Sequence, residues 1–122
     1  MAQKTHVTTD HVEYASKDPA ATRQFLENVL GFHFDVMEAM GGYGMRNDKV
    51  KQGSGTGVRS LEKGEFPTTI AYLTVPDLEA ALKAAQKEGA RVILPKTEIP
   101  QMGWHAVVRA PGELQIGLFQ SA

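Results

Sequence analysis

The chain has 122 residues, of which 42% are hydrophobic and 22% are charged, and it contains no cysteine. This composition predicts one globular domain with its own core, and it excludes disulfides and thiolate metal sites. The formal net charge is -1 and no basic run occurs, so we expect no nucleic-acid partner. No apolar run approaches the roughly 20 residues that span a bilayer, and the polar N-terminus does not resemble a signal peptide. We therefore expect a cytoplasmic protein without a membrane partner.

The first half of the chain predicts a strand, a helix and three more strands. Residues 7–16 alternate between two faces, with His11 and Glu13 on the same face. Asp18 is typical of a helix N-cap and Gly31 of a left-handed helix end. The buried face of this helix is predicted at five apolar residues: Ala21, Phe25, Leu26, Val29 and Leu30. Three short strands follow at residues 32–36, 42–47 and 55–61, with a polar turn at residues 49–54.

The second half repeats this order of elements. Asp77 is the predicted N-cap and Gly89 the predicted end of a second helix, and Pro95 is predicted to end the strand after it. The buried face of this helix is predicted at four residues: Leu78, Ala81, Leu82 and Ala85. The strands are predicted at residues 70–75, 91–94, 104–109 and 114–120. Self-similarity of this kind indicates two β-α-β-β-β modules, at about residues 7–62 and 67–121, within one domain.

Three local strings add to the doubled order of elements. They are HVEYASKDPAATRQFLENVLGF, VPDLEAALKAAQKEGARVILP and IPQMGWHAVVRAPGELQIGLFQ. Together these features resemble the vicinal-oxygen-chelate superfamily, whose members include glyoxalase I, extradiol dioxygenases and bleomycin-resistance proteins. The resemblance extends from about His11 to Gln120. It implies an α+β fold in which two modules with curved mixed sheets form a cup-shaped cavity, with the helices on the convex side, and it implies a homodimer.

Metal-dependent members of this superfamily hold one divalent ion with four His or Glu side chains, one from each of four cavity strands. The resemblance places the first of these positions on His11, which is a suitable ligand type. The other three positions fall within residues 56–58, where no His, Asp or Glu occurs, on Ile70 and on Gly117. Because one ligand of the four remains, we expect neither the metal nor another cofactor.

Six residues are candidates for a functional site. His11 and Glu13 share a strand face and are the catalytic candidates, acting as a base and its orienting partner. The alternative is a solvated or salt-bridged structural pair at the sheet edge. The ligand-binding candidates are four residues of the second half: Tyr72, Trp104, Gln115 and Phe119. The Tyr72 hydroxyl would bond a ligand or the ring would simply pack, and Trp104 would form a pocket wall or a subunit interface.

The leading functional hypothesis is a glyoxalase- or bleomycin-resistance-like protein that binds a small organic molecule in its cup without the usual metal. It is favoured because the strand faces implied to line the cavity mix small, aromatic and polar residues, as ligand sites do. One alternative is a lyase, isomerase or dioxygenase, using a rearranged metal site or metal-free acid–base chemistry of His11 and Glu13. The other alternative is a non-catalytic structural or interaction subunit. The sequence leaves open whether the protein is an enzyme.

Overall fold

The structure, a computed structural model, describes residues 7–48 and 55–122. The turn predicted at residues 49–54 lies outside this part of the chain. The chain divides into two compact units whose boundaries fall inside strands. The first unit is His11–Ile70, and the second is Ala71–Ala122 together with residues 7–10. That the two modules form one domain stays a prediction.

The first unit contains one helix and a four-stranded mixed sheet. Its elements are β1 (Thr8–Ser16, included from His11 onward), α1 (Pro19–Leu30), β2 (Phe34–Met37), a 3-10 turn (Glu38–Met40), β3 (Tyr43–Arg46) and β4 (Gly55–Ser60). The strand order is β2-β3-β4-β1, in which β1 and β4 are parallel and the other neighbours antiparallel. The helix α1 packs against β4.

The second unit has the same arrangement. Its elements are β5 (Thr68–Thr74, included from Ala71 onward), α2 (Leu78–Lys87), β6 (Arg91–Ile99), β7 (Gly103–Ala110) and β8 (Leu114–Ser121). The strand order is β5-β8-β7-β6, again with one parallel pair, β5 and β8. Both units therefore have the β-α-β-β-β order with mixed sheets, and the predicted α+β class is confirmed.

Both helices begin at the predicted caps. The Asp18 carboxylate accepts a hydrogen bond from the backbone N–H of Ala21, and Asp77 does the same for Ala80, each at 3.1 Å. These bonds satisfy backbone donors that the first helical turn leaves without a partner. Gly31 ends α1 with a φ of 75°, a left-handed conformation that glycine adopts without steric cost.

Neither helix of the described ranges has both the length and the apolar character needed to cross a bilayer. The predicted cytoplasmic location and the predicted homodimer stay predictions.

The predicted buried face of α2 is confirmed at Leu78, Ala81 and Leu82, whereas Ala85 is only partly buried and is not among the residues of the core. Leu78 is fully buried and forms the second unit's core with Val75, Ala106, Val108 and Leu118. Further apolar side chains pack against this core from the helix and the sheet: Leu73, Ala81, Leu82, Ala90, Val92, Trp104 and Ile116. Here the apolar stripe of the helix and its contact with the sheet coincide.

The predicted buried face of α1 is wrong. Of its five residues only Leu26 is buried, whereas Phe25 and Val29 are each 60% exposed; Ala21 and Leu30 are exposed as well. The helix instead turns the side that carries Arg23 toward the sheet, and the stem of this side chain covers Gly44 on β3. The aliphatic part of an arginine side chain can cover a sheet as an apolar residue does. A prediction of the buried face of α1 from its apolar residues alone therefore chose the wrong side of the helix.

The predicted end of a strand at Pro95 is also wrong, because β6 continues to Ile99. Proline lacks an N–H and is tolerated at irregular positions of edge strands. Among the described strands β6 pairs with β7 alone, and its register shifts between Val92 and Leu94 and again between Leu94 and Thr97. The proline lies inside the second irregularity, where regular pairing is interrupted.

The buried position of Leu78 makes a prediction about stability. Leu78→Ala should lower the free energy of unfolding by about 2–5 kcal/mol, since it removes buried methyl groups and leaves a cavity. The control is Leu114→Ala, at a position that is 62% exposed, which should change stability by less than about 0.5 kcal/mol. Urea unfolding of the three proteins measures both values, and equal losses in the two variants would contradict the described core.

Candidate functional site

The first unit presents a row of polar side chains on one face of its sheet. In the strand register Glu13 lies beside Gly57, and Gly57 lies beside Met45. Because side chains alternate along a strand, residues two positions away share this face, which adds His11, Tyr43 and Arg59 to the row. Gly44 and Val58 belong to the opposite face, where Arg23 of α1 packs. The polar row therefore lies on the side of the sheet away from α1.

Tyr43 occupies the space above Gly57. A methyl group at position 57 would overlap the Tyr43 hydroxyl and its ring. Glycine at this point of β4 lets the phenol lie flat across the sheet and reach the side chains of β1. The glycine thus sets the position of the hydroxyl.

The Tyr43 hydroxyl joins His11 to Glu13. It lies 2.8 Å from the His11 Nε2 atom and donates a 2.8 Å hydrogen bond to the Glu13 Oε2 atom. A phenol has a single proton, so when that proton is given to the carboxylate, the bond from His11 must be donated by Nε2–H. His11 and Glu13 therefore lie on one sheet face, and Tyr43 is the group that connects them.

Arg59 holds the other side of the Glu13 carboxylate. Its Nε atom lies 2.6 Å from the Glu13 Oε1 atom, and its two terminal nitrogens lie 2.6 and 2.7 Å from the carboxylate of Glu65. Both carboxylates are buried, with Glu13 4% and Glu65 8% exposed. Two buried carboxylates therefore share one guanidinium.

The surroundings shift two pKa values in this row. Burial lowers the pKa of the His11 imidazole below its usual 6.5, and the Glu13 carboxylate opposes only part of that shift. Burial also acts against the charge of Arg59, but the hydrogen bonds that the guanidinium donates to Glu65 and Glu13 outweigh this effect and raise its pKa. At neutral pH the row therefore contains a neutral imidazole beside a firmly held ion pair.

The second unit has a similar arrangement of a tyrosine, a histidine and a glycine. Tyr72 is buried and lies over Gly117, its neighbour in the sheet, where an added methyl group would be 2.5 Å from the ring. The His105 ring stacks on Tyr72, with centroids 6.2 Å apart and planes 24° from parallel. Phe119 is the register partner of His105, and Gln115 lies two residues before Gly117 on the same face. Three of the four predicted ligand-binding residues thus share one sheet face.

Trp104, the fourth, lies elsewhere. It packs against the core beneath α2, on the opposite face from its neighbour His105. The Lys96 ammonium lies 5.2 Å from the centre of its ring. The indole therefore contributes to the core of the second unit and is not part of the row that contains Tyr72.

The described residues do not fit the four-ligand metal site of the superfamily. No group of three or more His, Asp or Glu residues that could hold an ion occurs within residues 7–48 and 55–122. His11 Nε2 and both oxygens of Glu13 are hydrogen-bonded within the protein. Of the remaining family positions, Ile70 is apolar and buried, and Gly117 has no side chain that could bind an ion. Gly57, within residues 56–58, also lacks a side chain, and tyrosine rings cover both glycines. The donor set that the superfamily's ion requires is therefore incomplete at these positions.

Sequence reasoning missed Tyr43 and Glu65, and it did not connect Arg59 with Glu13. The only available signal was that Arg59 follows Gly57 by two residues, so the pair shares a strand face. Their link to Glu13 depends on the pairing of β1 with β4, which brings together Glu13 and Arg59 although they are 46 positions apart in the chain. Sequence alternation does not supply that register.

The contact between Tyr43 and Gly57 can be tested by adding one methyl group. Gly57→Ala should lower the free energy of unfolding by about 1–3 kcal/mol, because the methyl must displace the phenol. Gly44→Ala is the control, since there the methyl meets the flexible side chain of Arg23 and the loss should be smaller. Urea unfolding measures both. In a double-mutant cycle of Gly57→Ala with Tyr43→Ala, the loss of stability in the double variant should be smaller than the sum of the two single losses. A double variant that loses the full sum would contradict the contact between Tyr43 and Gly57.

The lowered pKa of His11 predicts how stability depends on pH. The unfolded chain takes up a proton at this residue near pH 6.5, whereas the folded chain does so only at lower pH. The free energy of unfolding should therefore fall as the pH is lowered through that region, until the folded-state pKa is passed. Urea unfolding of the native protein and of His11→Gln, between about pH 8 and pH 5, isolates this contribution. A difference between the two proteins that stays constant with pH would contradict the prediction.

Comparison with known proteins places the chain in a family. A search of curated proteins finds no match. Among solved structures, methylmalonyl-CoA epimerase from Mycobacterium tuberculosis is 16% identical with a TM-score of 0.64, covering 93% of this chain and 87% of the other. A Legionella pneumophila protein described as an NAD-dependent benzaldehyde dehydrogenase is 18% identical with a TM-score of 0.64, and the match covers 92% of this chain and 98% of the other.

A third solved structure is a variant of Streptomyces coelicolor methylmalonyl-CoA epimerase in complex with 2-nitronate-propionyl-CoA. It is 20% identical with a TM-score of 0.58, covering 93% of this chain and 96% of the other. At these sequence identities, the similarity of this chain to the three structures shows a common fold and no more. The family model described as Glyoxalase/Bleomycin resistance protein/Dioxygenase superfamily matches residues 8–116, which is most of the sequence. The chain therefore belongs to the glyoxalase/bleomycin resistance protein/dioxygenase superfamily.

Proposed function

We propose that this protein binds a small organic molecule and does so without the divalent metal that many members of its superfamily use. The observation that carries the proposal is the pair of glycines at positions 57 and 117, each covered by a tyrosine ring. On both sheets an aromatic ring with a hydroxyl therefore takes the space that a side chain from the glycine position would need. The resulting surfaces offer aromatic area and hydrogen-bonding groups, but no set of metal donors among the described residues.

The composition of the two faces supports binding of an organic ligand. Ligand sites combine apolar and aromatic walls with a few well-placed polar groups. In the first unit the polar groups are His11, Glu13 and Tyr43, held in place by hydrogen bonds of 2.8 Å. In the second unit Tyr72 and Phe119 supply aromatic area and Gln115 an amide. Trp104 is omitted from the proposal because it packs against the core of the second unit.

The structural neighbours guide the choice of ligands to test. Two of them are methylmalonyl-CoA epimerases, one of which is bound to a coenzyme A derivative, and another is described as a dehydrogenase. These names point to different activities on one fold, so they do not assign an activity to this chain. They do make acyl-coenzyme A compounds and aromatic aldehydes reasonable members of a first ligand panel.

The metal part of the proposal has a direct test. Elemental analysis of protein purified without chelators should find metal far below one ion per chain. Zinc, nickel and manganese salts should leave the melting temperature unchanged, because an ion that binds the native state would raise it. Metal near one ion per chain in the native protein that disappears in His11→Ala would contradict the proposal.

The ligand part is tested with a panel of small organic molecules, including methylmalonyl-CoA and benzaldehyde, by thermal shift. A ligand at about one hundred times its Kd should stabilise the protein by about 2.7 kcal/mol. Tyr43→Phe and Tyr72→Phe, assayed separately, show which face contributes, since each removes only a hydroxyl. Tyr14→Phe, on the α1 side of the first sheet, is the matched control and should leave the shift intact. Shifts that persist in both face variants would contradict the assignment of these surfaces.

A further inference from the structure

The outer side of α1 is apolar and uncharged. Phe25 and Val29 are each 60% exposed and Leu30 is 57% exposed, whereas the two charged residues of the helix, Arg23 and Glu27, are both partly buried. A surface helix normally has the opposite arrangement, with its charged residues toward water. We propose that this side of α1 is the surface through which two copies of the chain associate in a reversible dimer.

The second helix provides a comparison within the same chain. The helix α2 has the same place in its unit, and its three charged residues, Glu79, Lys83 and Lys87, are all exposed. Its leucines, Leu78 and Leu82, lie in or against the core. The β-α-β-β-β architecture therefore does not require a helix with an apolar outer side. The outer side of α1 is a property of this helix and not of the fold.

The apolar surface continues onto the edge of the sheet next to α1. Val36 of β2 is the register partner of Gly44, so both lie on the sheet face that Arg23 of α1 covers. Exposed apolar side chains that occur together mark a contact surface, whereas single ones are normal. Eight large hydrophobic residues are exposed within residues 7–48 and 55–122, and four of them belong to α1 and β2: Phe25, Val29, Leu30 and Val36.

The spacing of the exposed residues on α1 suits packing against a second α1. Ala21, Phe25 and Val29 follow one another at intervals of four and form a ridge, and the exposed amides Gln24 and Asn28 form a parallel ridge beside it. The ridge of one helix fits the groove between two ridges of another helix. Around a two-fold axis the same residues serve both copies, so Phe25 of each helix fills the groove of the other.

The charge of this surface favours a second copy over a membrane. Helices that lie on membranes carry Lys and Arg beside their apolar residues. The one basic residue of α1 is Arg23, and its side chain is directed at the sheet. An uncharged surface brings no like charges together when two copies meet, and the centres of protein interfaces are poor in charged residues and rich in aromatic ones. The outer side of α1 therefore matches another copy of itself.

The size of the surface sets the expected strength of association. At exposures of 57–60%, Phe25, Val29 and Leu30 present roughly 300 Å² of apolar surface, taking about 150–200 Å² for each complete side chain. Two copies bury roughly twice this area, and the amides and Val36 enlarge the contact. The total falls among the weak, transient interfaces of less than about 1,200 Å². We therefore expect a dissociation constant in the micromolar range.

This inference does not depend on the proposed ligand binding. The outer side of α1 and the polar row of His11, Glu13 and Tyr43 lie on opposite sides of the first sheet. A variant that prevents association should therefore keep the ligand-induced thermal shift of the native protein. The two proposals can fail separately.

Sedimentation velocity tests the dimer at concentrations from about 5 to 500 µM. The sedimentation coefficient of the native protein should rise with concentration toward the value of a dimer. Phe25→Gln should raise the dissociation constant at least about tenfold, as loss of a central aromatic side chain does. Phe66→Gln is the matched control, because Phe66 is a 79% exposed phenylalanine of the same unit outside this surface. It should leave the dissociation constant unchanged.

Two results overturn the proposal. A native protein that stays monomeric at every concentration excludes a second copy as the partner of this surface. A dimer that Phe25→Gln and Phe66→Gln leave equally tight excludes α1 as its interface. Urea unfolding at the lowest concentration should give Phe25→Gln the stability of the native protein, since Phe25 is exposed in the single chain. Loss of association in that variant is then not a result of unfolding.

The absence of cysteine allows a second test that keeps Phe25 in place. Asn28→Cys puts a thiol on the outer side of α1, and Gln86→Cys puts one on the exposed side of α2. A bifunctional maleimide that spans about 8–10 Å, the separation of packed helices, should join two copies of Asn28→Cys. The rate should exceed that of Gln86→Cys at least about tenfold, because association raises the effective concentration of the thiols. Equal rates in the two variants overturn the assignment of this surface.

Discussion

The structure of the first unit depends on the ion pairs of one partly buried arginine. Arg59 of β4 holds Glu13 of β1 and Glu65 of the segment that follows β4, so one guanidinium ties together two strands and a loop. Removing a charge from water is costly, and a buried carboxylate without a partner would cost several kcal/mol. The two carboxylates and the guanidinium therefore depend on one another. Their fixed geometry also holds the Tyr43 hydroxyl, and through it His11, at hydrogen-bonding distance.

Both units use a glycine in the last strand to make room for a tyrosine from another strand. In the first unit the tyrosine comes from the third strand, as Tyr43, and the histidine beside it from the first strand, as His11. In the second unit Tyr72 comes from the first strand and His105 from the third. In both units the first, third and last strands therefore supply the tyrosine, the histidine and the glycine. The tyrosine and the histidine are on the third and first strands of the first unit, and on the first and third strands of the second unit. A duplicated fold supplies equivalent backbone positions, and the side chains placed on them decide the chemistry.

The difference between this chain and the metal-binding pattern of its superfamily lies in a few positions. A carboxylate side chain needs space as well as a backbone position, and the tyrosine over each glycine occupies that space. The two units have nevertheless diverged in polarity. The first has an ionic network around Glu13, whereas the second has stacked rings around Tyr72. The ionic network therefore belongs to the first unit, and the second unit contributes aromatic surface.

Local signals in the sequence determined the order of the elements, the caps of both helices and the α+β class. Caps and left-handed glycine ends depend on a few neighbouring residues, which is why Asp18, Gly31 and Asp77 could be predicted from sequence. Alternation along a strand likewise placed His11 and Glu13 on one face. It could not tell which distant strand would lie beside them. The contacts of Tyr43 and Arg59 were decided by the register of β3, β4 and β1, because that register arises from backbone pairing between segments far apart in the chain and is not encoded in any single stretch.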